Sequence, residues 1–419
     1  MATTLVHRPA RTFAEPPPTA EIRLVPPPQV QPLAPASWLQ YMLPLTGVLG
    51  SVGFIAVYNQ GMSGSGRLLY LALVVGGTLL AMAGGVAVRR QQVVAQRRQR
   101  RATDQRYVAY LAREEERIRR VAEIQRGAAA RVHPDAATVL FEIARRDRLW
   151  ERRPEDGDFL QARVGVGAVP LACPLLLEVG NNPLVEYDPR LLGLAQGLVD
   201  AYATVPSMPA AIGLGDQGSV VVCGPTDRAR GLVRSVLCEL AGFHSPDDLH
   251  VLAAFPASAA ASWEWLKWLP HVRRGRTAAG GVPACRLADG PDELEALLEE
   301  EVGPRLEQLR RGAVAAGSSL GRRLVVVVDG MSPSHPLARV PALVELMERG
   351  RAAGAVVIGI TRSRRDDPST VSLRVDVDDD GILSVEETHA GGRRLRGASA
   401  ADAPLAVCEA VARALAPLR

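Results

Sequence analysis

An apolar run, Ser219 to Cys223, leads through Gly224-Pro225 into a helical pattern starting near Arg228. Strand, glycine turn and helix is the arrangement that cradles phosphate, because the amides opening the helix and the helix dipole both face the anion. A working loop of this kind needs glycine at two turn positions, lysine for the β- and γ-phosphates, and serine or threonine for magnesium. Here only the first glycine, Gly224, is in place, and Ala229, Arg230 and Gly231 stand at the other three positions. Arg230 keeps a positive charge, but its forked guanidinium is not interchangeable with an ammonium in a tight ring of amides. Lys267 is the only lysine in the chain. A second apolar run, Leu324 to Val328, ends in Asp329, where a nucleotide hydrolase would hold magnesium, yet Gly330 follows where a catalytic acid would stand. Gly224, Arg230 and Asp329 therefore mark a degenerate phosphate loop, and no catalytic residue is expected.

Other constellations carry less chemistry. The seven histidines show no metal-ligand spacing with cysteines or carboxylates, so no metal site is expected. Asp378 to Asp380 precede Gly381 without a matching calcium loop and fit a solvated hairpin tip. The five cysteines, Cys173, Cys223, Cys238, Cys285 and Cys408, are widely spaced, which argues against disulfides and zinc. Three of the five tryptophans, Trp263, Trp265 and Trp268, crowd into six residues of a chain that is 4% aromatic. They are candidates for a protein contact surface, with local core packing as the alternative.

The elements that must position the glycine turn are apolar runs bounded by turn residues: Ser219 to Cys223, Leu249 to Ala254, Leu324 to Val328 and Ala355 to Ile360. Helical stretches lie between them at about Arg228 to Ala241, Pro291 to Arg311 with a break at Gly303-Pro304, and Leu337 to Ala353. Alternation of this kind predicts an α/β domain with a mainly parallel sheet. Phe159 to Val169 and Leu175 to Val179 read as further strands, and Val371 to Val377 with Ile382 to Val385 as a late edge pair. This domain is placed at residues 149–419.

Three segments precede it. Residues 1–37 are proline-rich and read as a flexible arm. Within 38–88, Leu39 to Tyr58 is an uncharged run of 20 residues and Leu68 to Val88 one of 21, each long enough to span a bilayer as a helix. The loop between them, Asn59 to Arg67, carries one arginine, whereas Arg89, Arg90, Arg97, Arg98, Arg100 and Arg101 follow the second run. That bias predicts a multi-pass protein of the bacterial plasma membrane with both termini in the cytoplasm. Residues 89–148 read as a basic helical stalk, with 13 arginines against five acids between 89 and 131. Anionic lipid is its expected partner. Nucleic acid is not, because no aromatic platform or groove-reading motif accompanies the arginines. His133-Pro134 should break the helix, and Asp135 should cap a new one from about Ala136 to Arg146.

Particular residues also carry a resemblance. Leu149-Trp150-Glu151-Arg152-Arg153-Pro154, Asp158-Phe159-Leu160, Arg163-Val164-Gly165, Trp263 to His271 and Pro291-Asp292-Glu293-Leu294 resemble the N-terminal part of EccC, the FtsK/SpoIIIE-type membrane ATPase of actinobacterial type VII (ESX) secretion. The order of parts is similar too, from about Pro26 to Arg419: two transmembrane helices, a helical stalk and an α/β domain like a degenerate P-loop, FtsK-like ATPase. The resemblance implies a homo-oligomer inside a larger complex with EccB-, EccD- and EccE-like membrane proteins, exporting WXG100-type substrates. It implies ATP and magnesium only in ATPase domains downstream of Arg419 or in a separate chain, and no cofactor in these residues. The expected role is to anchor and couple that motor. A membrane-anchored FtsK-like DNA translocase and a two-helix membrane sensor are the alternatives.

Overall fold

The central strands are apolar on both sides, so they require cover on both. The computed structural model of the protein describes residues 4–8, 10–11, 13, 15–29, 64–180, 185–275, 284–312, 321–389, 392 and 394–418. In chain order they form β1 (Ile22–Leu24), α1 (Gly64–Val132), α2 (Ala136–Arg145), β2 (Gln161–Pro170), β3 (Leu175–Leu177), α3 (Pro189–Ala201), β4 (Thr204–Gly213), β5 (Ser219–Cys223), α4 (Thr226–Phe243), β6 (Leu249–Ala254) and β7 (Leu287–Ala288). Then come α5 (Pro291–Arg310), β8 (Arg323–Asp329), α6 (Pro341–Ala353), β9 (Ala355–Thr361), β10 (Leu373–Val377), β11 (Ile382–Glu387), β12 (Arg394–Ala400) and α7 (Leu405–Leu415), with short helical turns between β6 and β7. Two compact units result. One comprises Met1–Pro18, Val121–Ala172 and Thr204–Arg419, the other Thr19–Arg120 and Cys173–Ala203.

The first unit holds a ten-stranded sheet in the order β4-β2-β12-β11-β10-β5-β9-β8-β6-β7. Alternation along each strand sorts side chains to two faces. Val220 and Val222, Val251 and Ala253, Val325 and Val327, and Val356 and Ile358 join α2, α4 and α7 in one core. Leu252 and Ala254, Val326 and Val328, and Val357 join α5 and α6 in another. The expectation of a mainly parallel sheet is corrected to a mixed one. Pairings from β10 through β5, β9, β8 and β6 to β7 are parallel, and those from β10 through β11, β12 and β2 to β4 are antiparallel. The tight turn ending at Gly381, φ +79°, returns β11 directly beside β10, and a short turn permits only antiparallel pairing. β10 is nonetheless no edge strand, because its other side pairs with β5. Pro304 likewise does not break α5, which buries Leu297, Leu298, Val302 and Leu306 on either side of it.

The second unit is small. β1 pairs in parallel with β3, so Leu175–Leu177 lies outside the large sheet. Asp188 caps α3 through the amides of Arg190 and Leu191. Tyr107, Leu111, Leu191 and Ala195 make the core, and the Tyr107 hydroxyl donates to the Val25 carbonyl at 2.9 Å.

The membrane reading is corrected. Leu39 to Tyr58 lies outside the described residues. Leu68 to Val88 does not stand as a separate span; it opens α1, which continues unbroken through the arginine-rich stretch to Val132. The side chains described within that run are Gly76, Gly77, Leu80, Ala83, Gly84, Gly85, Val86, Ala87 and Val88, nearly half of them glycine, and Arg89 and Arg90 follow directly. Among the described residues no helix is long and apolar enough to cross a membrane. The two-helix anchor, the multi-pass topology and the plasma-membrane placement with both termini cytoplasmic are withdrawn together. The helix break falls where the sequence puts it: Asp135 accepts the Thr138 amide at 2.8 Å and starts α2.

A buried charged hub ties the first unit together. The fully buried Arg152 donates to Glu239 of α4 at 2.9 Å, to the Gln161 carbonyl at 2.7 Å and to the Val132 carbonyl. Glu239 also meets His133 Nδ1 at 2.9 Å and accepts the Arg163 amide at 2.6 Å. Beside the hub, His244 donates from Nδ1 to the Leu240 carbonyl and accepts the Leu160 amide at Nε2, both at 2.9 Å. His271 donates to the His244 carbonyl at 2.8 Å. Burial pushes His271 down to about 4 and His244 well below the usual imidazole range. Both are neutral in the fold and protonate when it opens, so their contribution is complete above about pH 6.5 and is lost as pH falls through about 4. Urea unfolding between pH 7.5 and 4 should therefore show falling stability, with His271 alone contributing about 3 kcal/mol. A His271→Gln variant should show a shallower slope over that window, and an unchanged slope would contradict the assignment.

Candidate functional site

The C-terminal ends of β5, β8, β9 and β10 align, with Cys223 opposite both Thr361 and Asp376, and Asp329 opposite Ile360. Ligand crevices of open α/β sheets form at such an edge. Gly224 leaves β5 there at φ +152°, donating to the Thr361 carbonyl at 3.1 Å, and α4 begins two residues later. Any side chain at Gly224 would strike the carbonyl of Val377, so the glycine is required by the close passage of β10.

Sequence placed Gly224, Arg230 and Asp329 in one degenerate site, and the fold brings Arg230 and Asp329 into contact. Arg230 Nε donates to Asp329 Oδ2 at 2.7 Å. Trp263 Nε1 donates to the same oxygen at 2.7 Å. Asp329 is buried, and Arg230 keeps only 17% of its side-chain surface. The carboxylate that would hold magnesium is thus engaged by a guanidinium and an indole. The side chain in the lysine position is turned onto that carboxylate.

The remaining phosphate contacts are also replaced. Ala229 is fully buried in the core. At Gly231, where the magnesium-binding hydroxyl would project, a Cβ would collide with Asp402 Oδ1. The loop before α7 is held there by the Ala403 amide on the Gly231 carbonyl at 3.1 Å and by Arg234 Nε on the Ala403 carbonyl at 3.0 Å. Pro225 contributes no amide to the turn. The open cleft of about 550 Å³ beside the turn is lined by Asp376, Asp378 and Asp379 with Arg362. Those carboxylates oppose an incoming phosphate.

The tryptophans lie inside the first unit. Trp263 is fully buried, Trp265 nearly so with its indole on the Ser262 carbonyl at 3.2 Å, and Trp268 packs half-buried against the same core. Among the described residues no group of three or more His, Cys, Asp or Glu side chains could hold a metal. Trp263 as the second donor to Asp329 was not foreseen from the sequence, since it lies 66 positions away. Neither was the partner of Arg152. The available signal was Glu239, a lone acid in the apolar run Val236-Leu237-Cys238-Glu239-Leu240.

Strand, glycine turn and helix beside a strand ending in Asp329 resemble a P-loop ATPase domain whose hydrolytic residues have been replaced. No family model matches the chain. Over 423 aligned residues, 100% of this chain and 30% of the relative, it is 30% identical to the ESX secretion system protein EccC of Thermomonospora curvata. It is 32% identical over 321 residues to the ESX-4 protein EccC4 of Mycobacterium tuberculosis, covering 75% of this chain and 26% of that protein. Against the ESX-3 protein EccC3 of the same organism it is 31% identical over 357 residues, covering 83% and 25%. The chain is an EccC homologue, a type VII secretion component. It spans under a third of the length of these curated relatives. The cytoplasmic domain of the T. curvata type VII secretion ATPase EccC overlays with a TM-score of 0.38 at 16% identity, over 64% of this chain and 32% of that one, too distant to argue from.

Replacing Arg230 with alanine should cost about 2–3 kcal/mol in urea unfolding, because Asp329 is left buried with one donor fewer. The double variant Arg230→Met/Asp329→Leu should regain much of that loss. Equal losses in the single and double variants would show that the pair is not coupled.

Proposed function

We propose that this chain is a nucleotide-independent coupling module of a type VII secretion motor. The observation that carries the reading is the Arg230–Asp329–Trp263 cluster, in which the residues at the phosphate- and magnesium-binding positions satisfy one another. An ATPase cycle needs those groups free for phosphate and metal. A fold that keeps the layout and neutralises its charges internally suits rigid docking. In this reading the α/β unit positions ATPase domains that lie downstream or in a separate chain, and transmits their movement to neighbouring subunits. ATP and magnesium act in those domains. EccB-, EccD- and EccE-like proteins are the proposed neighbours, several copies of this chain assemble together, and WXG100-type proteins are the exported substrates.

Affinity purification of the native protein from its own cells, with mass spectrometry of everything recovered, tests the assembly. Recovery of EccB-, EccD- and EccE-like proteins, with FtsK-like ATPase peptides continuing the chain or travelling beside it, is the expected result. Recovery of the chain alone, or with DNA-segregation proteins, would contradict it.

A further inference from the structure

Part of the proline-rich start, expected to be a flexible arm, is held on the first unit by a set of polar contacts. Thr4 pairs as a single parallel bridge with Leu418, its amide donating to the Pro417 carbonyl at 2.7 Å. Val6 rests half-buried against the core, whereas Leu5 and His7 on either side of it are exposed, as an extended segment lying on a surface requires. Arg8 then makes three contacts at once: Nε to the Trp150 carbonyl at 3.0 Å, Nη2 to the Arg152 carbonyl at 3.1 Å and Nη1 to Asp248 at 2.7 Å. Arg11 pairs with Asp156 at 2.5 Å and with Asp158. Its guanidinium also lies 4.7 Å from the Phe13 ring centroid.

The receiving side is built without the arm. Arg152 is held by the charged hub, Trp150 by its indole on the Ala241 carbonyl at 3.1 Å, and the amides of the two residues donate to the carbonyls of Gly242 and Phe243, each at 3.0 Å. Their own carbonyls are thereby aimed outward. Asp156 accepts the Arg153 amide at 2.8 Å, which fixes the loop that carries it. The floor is therefore two oriented carbonyls flanked by three carboxylates, Asp156, Asp158 and Asp248. That set suits a guanidinium pair three residues apart on an extended chain, and it offers lysine no matching fork. The arm in turn leaves few apolar side chains in the core, so its hold is mainly polar and screened by salt.

We propose that this groove is a docking site for an extended, arginine-bearing segment, filled in cis by residues 4–11 of the chain itself, and that the arm is a removable strap which the same segment of a second copy can replace. Exchange between copies follows because the contacts are identical in cis and in trans. The cis arm holds the groove at high effective concentration, so the groove opens to another copy only when the arm is released.

The test uses the full chain and a labelled peptide of residues 1–15, followed by fluorescence anisotropy. The Arg8→Ala/Arg11→Ala chain, whose own arm is weakened but whose groove is intact, should bind the peptide at least about tenfold more tightly than the unaltered chain. A second variant, Thr4→Pro, which removes the bridging amide, should move in the same direction. Added salt should weaken binding, and a peptide with both arginines replaced by alanine should not bind. Equal binding to altered and unaltered chains, binding of the arginine-free peptide, or no binding to either variant would overturn the proposal. So would loss of folding in both variants, because a removable strap cannot be required for the fold.

Discussion

The buried pair of Arg152 and Glu239 is the constraint on which the rest of the first unit depends. Two opposite charges at 2.9 Å with almost no solvent need further polar partners, and here those partners are distributed over the whole architecture. Glu239 sits toward the C-terminal end of α4, the helix that follows the glycine turn. Arg152 reaches the last carbonyl of α1 and the first of β2, and Glu239 takes an amide from β2 and the imidazole of His133. Moving any one of these elements would strand a buried charge. The hub therefore fixes the orientation of α4, and with it the direction in which Arg230 points.

From that orientation the Arg230–Asp329 contact follows. Arg230 lies about one turn into α4 and meets Asp329 at the end of β8, while Trp263 approaches from the turns after β6. Each element is set by apolar burial on one sheet face or the other. Two side chains, Arg230 and Trp263, then converge on one oxygen of Asp329. The same packing brings Asp402 over Gly231 and Val377 over Gly224, so a side chain at either position would meet a neighbour.

Much of this was legible in residues near one another in the chain. The four apolar runs became β5, β6, β8 and β9, and Asp135 capped α2. What failed were statements about partners distant in sequence. The sheet's antiparallel half depends on β2 joining β12, a pairing of residues more than 200 positions apart, with β4 added on the other side of β2. β10 was assigned to an edge because its pairing with β5 cannot be read from either strand. The run Leu68 to Val88 suggested a separate span because hydropathy counts composition, whereas the chain carries it into one 69-residue helix with the arginines that follow. The arm looked flexible because prolines prevent regular structure, yet Arg8 and Arg11 find partners about 140 residues or more away.

The central proposal is that the glycine turn does not hold nucleotide. Isothermal titration of the purified chain with ATP and magnesium tests it most directly. The account predicts no saturable heat up to millimolar nucleotide, and the same result with Arg230→Ala, because the acidic cleft and Asp402 remain in place. Tight, saturable binding by the unaltered chain that Arg230→Ala abolishes would show that Arg230 serves a phosphate, and would contradict it.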